Sequence, residues 1–186
     1  MESKPELRRR FKALRDAAPA AQRLAWSERI CEHLADFCTT HGITRVGAFG
    51  RFGSEVDLSP LAAVRPPLQC FFPRVAGFDP PRLDWGPPPL APGTWGLVEP
   101  VSAPHPLPPV QLLLVPGLAF AADGHRLGYG KGFYDAVLAA LPETVITLAV
   151  GFALQRCAGL PVDPRDRPVQ GIATEAGLHW FFPARN

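Results

Sequence analysis

The chain has 186 residues, of which 47% are hydrophobic and 19% charged, and its formal net charge at pH 7 is +2. It contains no run of about 18 uncharged apolar residues and no G-X-Y period, which excludes a transmembrane span and a collagen triple helix. Residues 1–29 carry eight basic and four acidic side chains, whereas residues 30–186 carry eleven and thirteen, so the charge predicts one local anionic partner near the N-terminus. A nucleic-acid surface would need a broader basic stripe.

The first residues contain no apolar leader, which favours a cytoplasmic protein. The length is that of one ordinary domain, and we expect a single domain over residues 1–186. We also expect a monomer that binds small molecules and neither nucleic acid nor membranes.

The first helix is predicted to begin at Ser3, because Ser3 and Glu6 have the spacing of a capping box. Leu7, Phe11 and Leu14 are expected to form its apolar stripe. The adjacent stripe is basic and consists of Lys4, Arg8, Lys12 and Arg15.

Downstream, the apolar pattern predicts alternating helices and strands. Helices are expected at residues 20–40, 58–64 and 132–141, and strands at 44–49, 110–115, 145–150 and 170–174. The runs at 110–115 and 145–150 are almost continuously apolar, which is typical of central strands covered on both faces. This alternation predicts an α/β fold with a mostly parallel sheet.

Proline is the unusual component, since 16 of the 23 prolines lie between Pro60 and Pro116. This segment also contains strand-like pieces at residues 68–72 and 95–98. We expect it to be rigid, irregular coil that wraps the sheet, because proline reduces the entropy that an ordered loop loses.

The segment from Pro116 to Asp135 carries the main functional signal, because it leaves a predicted central strand and enters a helix. Its glycines are Gly124, Gly128, Gly130 and Gly132. Glycines allow backbone N–H groups to close on an anion, and the helix N-terminus adds partial positive charge, so the segment is predicted to hold phosphate. Its spacing fits neither a Walker A loop nor the dinucleotide fingerprint.

The chain has 16 arginines and three lysines, and Lys131 lies within this glycine loop together with both tyrosines, Tyr129 and Tyr134. A single lysine among glycines favours a point charge placed on phosphate. The alternative is a solvent-exposed lysine in a loop whose glycines only form turns.

Asp135 lies in the first turn of the following helix, where it either complements the helix dipole or contributes to a Mg²⁺ site beside phosphates. Asp166 is the candidate for a second carboxylate, with a simple turn as the alternative.

The chain resembles the 5-formyltetrahydrofolate cyclo-ligase family, also called the 5,10-methenyltetrahydrofolate synthetases, over nearly its whole length. The matching pieces, in chain order, are Lys4 with Arg8, Glu55–Asp57, Phe72–Arg74, Gly96–Pro100, Pro116–Asp135, Gly151–Ala153 with Gln155, Leu160–Pro161, Asp166 and Ile172–Glu175. The long glycine loop is the most specific of these pieces.

The resemblance implies a three-layer α/β/α sandwich related to the ribose-phosphate isomerase and CoA-transferase group. It also implies that ATP and 5-formyltetrahydrofolate are converted to 5,10-methenyltetrahydrofolate, ADP and phosphate in the presence of Mg²⁺. In that reaction the formyl oxygen is phosphorylated, and nitrogen 10 then closes the ring as phosphate leaves.

The resemblance assigns ATP binding to Lys4, Arg8, Arg126, Leu127, Gly128, Tyr129, Gly130, Lys131, Gly132, Phe133 and Tyr134. Of these residues, it implies that Lys131 and Arg126 are catalytic. It assigns folate binding to Phe49, Gly50, Glu55, Tyr129 and Phe133, and magnesium to Asp135 and Asp166.

Three positions depart from the family pattern: Gln111 and Arg165 replace a usual Asp and a frequent His, and Ala136 replaces a common Arg. Two other functions remain open on the sequence alone. The first is an enzyme of the same fold acting on a sugar phosphate or a formimino-folate, and the second is a non-catalytic nucleotide-binding module.

Overall fold

The structure is a computed structural model that describes residues 2–64 and 67–181. Its α-helices are α1 (Lys4–Ala17), α2 (Ala20–Thr40) and α3 (Phe133–Ala140), and its 3₁₀ turns are Ser59–Ala63, Thr94–Gly96 and Ala153–Gln155. Among the described residues, no helix is both long enough and apolar enough to cross a membrane.

The strands in the first half of the chain are β1 (Arg45–Gly47), β2 (Gln69–Phe78), β3 (Pro81–Gly86), β4 (Leu90–Pro92) and β5 (Val98–Pro100). The second half contains β6 (Leu112–Pro116), β7 (Ala119–Ala121), β8 (Arg126–Leu127), β9 (Ile146–Val150), β10 (Arg156–Cys157), β11 (Gly171–Thr174) and β12 (Gly177–Trp180).

A seven-stranded sheet forms the centre, in the order β12-β11-β9-β6-β1-β2-β3. The five inner strands pair in parallel, whereas the edge strands β12 and β3 are antiparallel to their neighbours. The predicted mostly parallel sheet is therefore confirmed. The antiparallel edge strands were not predicted.

The two faces of β6 explain the layers. Leu112 and Leu114 pack into a core with residues of α2, and Leu113 and Val115 pack into a second core with Val137 of α3. Because successive side chains of a strand point to opposite faces, a continuous apolar run fills both cores. The sheet is thus covered on both sides, which confirms the three-layer α/β/α sandwich.

Helix α1 differs from its predicted pattern in the last turn. Glu6 accepts hydrogen bonds from the backbone N–H and the hydroxyl of Ser3, and Leu7 and Phe11 are buried, as expected. Leu14 is exposed, however, and Arg15 is buried instead. The prediction failed here because the last turn of α1 meets polar groups at residues 54–55 rather than an apolar surface.

The prediction of irregular coil for the proline-rich segment is wrong, because the segment contains the strands β2 to β5. Strands β2 and β3 form an antiparallel hairpin with a register shift between Val75 and Gly77. Strand β1 pairs with residues 69–71 of β2, so at Pro73 the strand β2 is paired on one side, with β3. Because no described strand pairs with the other side there, the missing N–H of proline is tolerated. Residues 65–66 lie outside the described part of the segment.

A small sheet of order β10-β7-β8 follows the carboxyl end of β6 and supports α1. Leu7 and Phe11 of α1 pack against Leu118, Ala119 and Leu127 of this region. The N-terminal helix is thereby fixed beside the segment that leaves β8, which is the glycine loop.

Candidate active site

The glycine loop, residues 128–132, connects β8 directly to α3. Gly132 caps α3 in the left-handed region, with φ +73°, and Gly130 also has a positive φ of +89°. A side chain at either position would be strained, which explains why these two positions are glycine. The loop therefore delivers the chain to the N-terminus of α3, where backbone N–H groups carry partial positive charge.

Helix α1 contacts this loop through Arg8. The Arg8 Nε donates a hydrogen bond of 2.9 Å to the carbonyl oxygen of Gly128. A Cβ at Gly130 would lie 3.0 Å from the Arg8 guanidinium carbon, so the guanidinium rests directly on the loop backbone. Helix α1 and the glycine loop, both predicted to bind the nucleotide, are therefore in direct contact.

Lys4 lies beside a pair of carboxylates in the loop before β11. Its ammonium is 2.5 Å from Asp163 Oδ2 and 2.7 Å from Asp166 Oδ2, and the backbone N–H of Asp163 donates to the same Asp166 oxygen. Although partial burial opposes it, these contacts hold the pKa of Asp166 below its usual value. Lys4 responds in the opposite direction: burial lowers its pKa, but the two carboxylates raise it by more.

Arg126 and Asp135 form a second ion pair, with Arg126 Nη2 3.1 Å from Asp135 Oδ1. The Arg126 side chain is almost fully buried, and its Nη1 donates to the carbonyl oxygen of Arg167. The backbone N–H of Arg167 donates to Asp135 Oδ1 in turn. Arg126 also lowers the pKa of Asp166, so its charge acts on both predicted metal ligands.

Glu55 is buried, with 7% of its surface exposed, and it lies against the glycine loop. The hydroxyl of Tyr129 donates to its Oε1 over 3.1 Å, and the backbone N–H of Phe52 donates to its Oε2 over 3.0 Å. Burial raises the pKa of Glu55, whereas Arg15, at 3.8 Å, and these two hydrogen bonds lower it. Glu55 and Tyr129, both predicted to bind folate, are thus in contact.

Tyr134 lies on the first turn of α3 with its ring against Trp85. Among the described residues, its buried hydroxyl has no hydrogen-bond partner. Burial and the charge of Glu55 raise the pKa of this hydroxyl, and Arg126 lowers it. The hydroxyl is therefore close enough to feel the charges of both Glu55, which is predicted to bind folate, and Arg126, which is predicted to bind phosphate.

Lys131 is exposed at the tip of the loop, and its ammonium lies 5.8 Å from the ring centroid of Trp95. Trp95 is 51% exposed, has a left-handed backbone with φ +55°, and packs edge-on against Phe78 and beside Phe133. We call Phe78, Trp95 and Phe133 the aromatic group. It forms an exposed stacking surface next to the only lysine of the loop.

Phe49 and Gly50 do not line the same space as Glu55. They lie on a cavity of about 730 Å³ that is lined by residues 48–51 after β1, residues 57–62, the first half of β2 and residues 87–98. Glu55 lines a smaller cavity of about 160 Å³. Arg51 and Asp57, which form an ion pair of 3.9 Å, line both cavities and separate the two groups of predicted folate residues.

Comparison with known proteins identifies the family of the chain. The family model described as the 5-formyltetrahydrofolate cyclo-ligase family matches residues 1–175. The chain belongs to the 5-formyltetrahydrofolate cyclo-ligase family.

Two relatives match this family member over part of their length. The 5-formyltetrahydrofolate cyclo-ligase of Mus musculus is 39% identical over 70 residues, which cover 36% of this chain and 34% of the mouse protein. The mitochondrial 5-formyltetrahydrofolate cyclo-ligase of Arabidopsis thaliana is 29% identical over 80 residues, which cover 38% of this chain and 29% of that protein. The chain thus spans about a third of the length of these relatives.

Solved structures match it over nearly the whole chain. The 5,10-methenyltetrahydrofolate synthetase of Aquifex aeolicus has a TM-score of 0.82 at 30% identity, covering 98% of this chain and 95% of that one. The 5,10-methenyltetrahydrofolate synthetase of Mycoplasma pneumoniae has a TM-score of 0.73 at 19% identity, covering 94% and 99%, and shows the shared fold.

Departures from the pattern of the 5-formyltetrahydrofolate cyclo-ligase family are accommodated locally. The side-chain oxygen of Gln111 accepts hydrogen bonds from the backbone N–H groups of Thr44 and Arg45. Ala136 and Arg165 are exposed.

Sequence reasoning missed two side chains of the site and misjudged a third. Asp163 shares Lys4 with Asp166, and its place three residues earlier in the same loop was the available signal. Arg15 was placed on the basic stripe of α1 without a role in the site, but it is buried beside Glu55. The side chain of Leu127, predicted to contact nucleotide, belongs instead to the apolar cluster beneath α1.

Proposed function

We propose that the protein converts 5-formyltetrahydrofolate to 5,10-methenyltetrahydrofolate in a reaction that consumes ATP, requires Mg²⁺ and releases ADP and phosphate. The observation that carries the proposal is the convergence of Lys4 and Arg8, from one helix, on the glycine loop and on Asp166. This arrangement supplies cations, backbone N–H groups and carboxylates at the N-terminus of a helix, which together suit a nucleotide carrying a divalent ion.

At the nucleotide end, the chain contributes positioning and positive charge. Lys4 and Arg8, one turn apart on α1, are assigned to phosphates of ATP, and Lys131 to the phosphate that is transferred. Arg126, held by Asp135, adds a buried charge beneath the loop. Phosphoryl transfer depends mostly on such positioning and charge neutralisation, so this set of groups is adequate to the chemistry.

The donor set at Asp135 and Asp166 fits Mg²⁺ that is also bound by phosphate oxygens. Among residues 2–64 and 67–181, no three His, Cys, Asp or Glu side chains form a metal-binding cluster, and Mg²⁺ in nucleotide sites needs only one or two carboxylates. Both carboxylates lie near Arg126 and are paired with cations in this structure. When bound, Mg²⁺ supplies charge neutralisation at the phosphates.

At the folate end, Glu55 is the group proposed to recognise the pterin ring. A buried carboxylate with one oxygen bound by Tyr129 and the other by the Phe52 N–H suits the donor-rich edge of a pterin. The aromatic group provides flat surfaces for the rings, beside Lys131 of the nucleotide end. Phe49 and Gly50, on the larger cavity, are assigned to the remainder of the folate.

The decisive experiment follows the absorbance of the methenyl product with ATP, Mg²⁺ and 5-formyltetrahydrofolate, leaving out each component in turn. The proposal expects product only when all three are present, with ADP and phosphate formed in equal amounts. Product formed without ATP indicates another enzyme of this fold, and ATP binding without any folate binding indicates a non-catalytic module; either result refutes the proposal.

A further inference from the structure

Arg15 is a buried cation that the proposed roles leave unused. Only 2% of its side chain is exposed, and it lies on the last turn of α1, two turns after Arg8. A buried guanidinium is costly in free energy unless its donors are satisfied, so its partners define what it does.

The nitrogens of Arg15 face three different groups. Nε donates to Ser54 Oγ and Nη2 donates to the Tyr129 oxygen, each over 2.9 Å. Nη1 lies 3.8 Å from Glu55 Oε1. Ser54 is fixed in turn, because its hydroxyl also contacts the carboxylate of Asp16. The planar guanidinium thus joins residues 54, 55 and 129 in one arrangement.

This arrangement fixes the direction of the Tyr129 hydrogen bond. Arginine has donors only, so the Tyr129 oxygen accepts from Arg15 and its hydrogen is directed to Glu55. Glu55 Oε1 is therefore oriented by Tyr129 and Oε2 by the Phe52 N–H, while Arg15 balances the charge. The other titratable group facing Glu55 is Tyr134 on α3, and Asp57 lies two residues along its own segment.

The geometry points to Arg15 as a positioning residue that holds the Glu55 carboxylate and the Tyr129 hydroxyl in place for the pterin of a reduced folate. This inference rests on the proposed function, since it assigns to Arg15 a specificity role at the folate end. Among the described residues, Arg15 reaches the glycine loop through the Tyr129 hydroxyl and not through the loop backbone, and it does not contact the carboxylates at Lys4. ATP binding is therefore expected to be nearly independent of it.

The test compares Arg15→Gln and Arg15→Lys with the wild type in equilibrium binding of 5-formyltetrahydrofolate across acid to neutral pH, together with steady-state kinetics. Arg15→Gln is expected to raise Kd and KM for the folate roughly tenfold or more, the effect of losing a charge-assisted contact, and to leave KM for ATP unchanged. It is also expected to shift the pH below which folate binding weakens to higher values, because Arg15 lowers the pKa of Glu55.

Arg15→Lys keeps the charge and loses the planar geometry. It is expected to weaken folate binding while keeping the pH dependence close to that of the wild type, and it serves if Arg15→Gln does not fold. Arg9→Gln, an exposed position on the same helix, is the control for charge. In the Glu55→Gln background, Arg15→Gln is expected to produce little further loss, because the two residues act as one unit.

Unchanged folate affinity in both Arg15 variants overturns the inference. A loss of affinity that is equal for folate and ATP and leaves the pH dependence unchanged also overturns it, since general destabilisation then explains the loss. A wild-type protein that binds no folate refutes the proposed function itself, which separates the two failures.

Discussion

Lys4 and Asp166 form an ion pair, with the ammonium 2.7 Å from Oδ2, that joins the N-terminal helix to the loop before β11. The pair links a residue proposed to bind phosphate with a residue proposed to hold Mg²⁺. In the structure each neutralises the other, so an incoming magnesium nucleotide must provide new partners for both. With the proposed roles, Lys4 is expected to have two opposite effects: it attracts phosphate and competes with cations for Asp166.

Replacing Lys4 with Gln separates these effects. We expect KM for ATP to rise roughly 10-fold to 100-fold, because a hydrogen bond to a charged group contributes about 1.5–3 kcal/mol. The affinity for Mn²⁺ without nucleotide, measured by electron paramagnetic resonance, is expected to increase because Asp163 and Asp166 lose their cation. Lys12→Gln, which removes a charge from the same helix at the exposed Lys12–Asp16 pair, is the control. An unaltered KM for ATP would contradict the role of Lys4.

The central part of the fold was predictable because its signals are local. The apolar runs of β6 and β9 fill both cores, and α2 matches its predicted bounds of 20–40. The β2–β3 hairpin was not predicted, because prolines and a register shift at Val75 and Gly77 hide its alternation.

The candidate site could be anticipated where its residues are adjacent in sequence. The prediction failed where distant segments of the chain meet. The glycine loop and its helix are continuous in sequence, so their proposed role in phosphate binding could be inferred from the spacing of the glycines. Arg15 lies on the same basic stripe as Arg8, and nothing in that spacing indicates that Glu55, 40 residues later, covers it. Burial, which decides its role, depends on tertiary contacts.

Replacing Lys131 and replacing Asp135 are expected to affect the stability of the protein differently, although both replacements are expected to reduce turnover. Lys131→Ala removes an exposed contact with Trp95, and a loss of stability below about 1 kcal/mol is expected. Turnover should fall roughly 100-fold or more if the ammonium stabilises the transferring phosphate. Circular dichroism and denaturant titration measure the first quantity and the absorbance assay the second.

Asp135→Asn should also abolish most turnover, but it removes the counter-charge of the buried Arg126. A stability loss of about 1–3 kcal/mol is expected, since Asn still accepts one hydrogen bond but carries no charge. Full activity in either variant would be inconsistent with the roles assigned to these residues.

Removing the hydroxyl of Tyr134 and removing that of Tyr129 are expected to change the free energy of unfolding differently. Tyr134→Phe removes a buried group that has no partner among the described residues, so the free energy of unfolding is expected to stay within about 0.5 kcal/mol or to rise. Tyr129→Phe removes hydrogen bonds to Arg15 and Glu55 and is expected to lower it by about 1 kcal/mol. Urea denaturation of both variants provides the measurement, and a larger loss for Tyr134→Phe would show that its hydroxyl has a partner.

Gly130 and Gly128 provide a matched pair for testing how α1 and the glycine loop fit together. Gly130→Ala places a Cβ at a φ of +89° and 3.0 Å from the Arg8 guanidinium carbon, so strain and displacement of Arg8 are expected together. The strain is about 1–2 kcal/mol, which lowers Tm by roughly 2–8 °C in a chain of this size. Gly128→Ala adds a Cβ that meets no atom within 4 Å, and its Tm is expected to change by less than about 2 °C.

The ATP dependence of the Gly130→Ala variant distinguishes strain from a binding role. Because Arg8 rests on Gly130 and donates to the Gly128 carbonyl, its displacement should raise KM for ATP while KM for the folate changes little. Calorimetric titration with a non-hydrolysable ATP analogue, at a temperature well below the reduced Tm, measures the affinity without turnover. Normal nucleotide affinity combined with a lowered Tm would assign Arg8 to stabilising the loop rather than to holding phosphate.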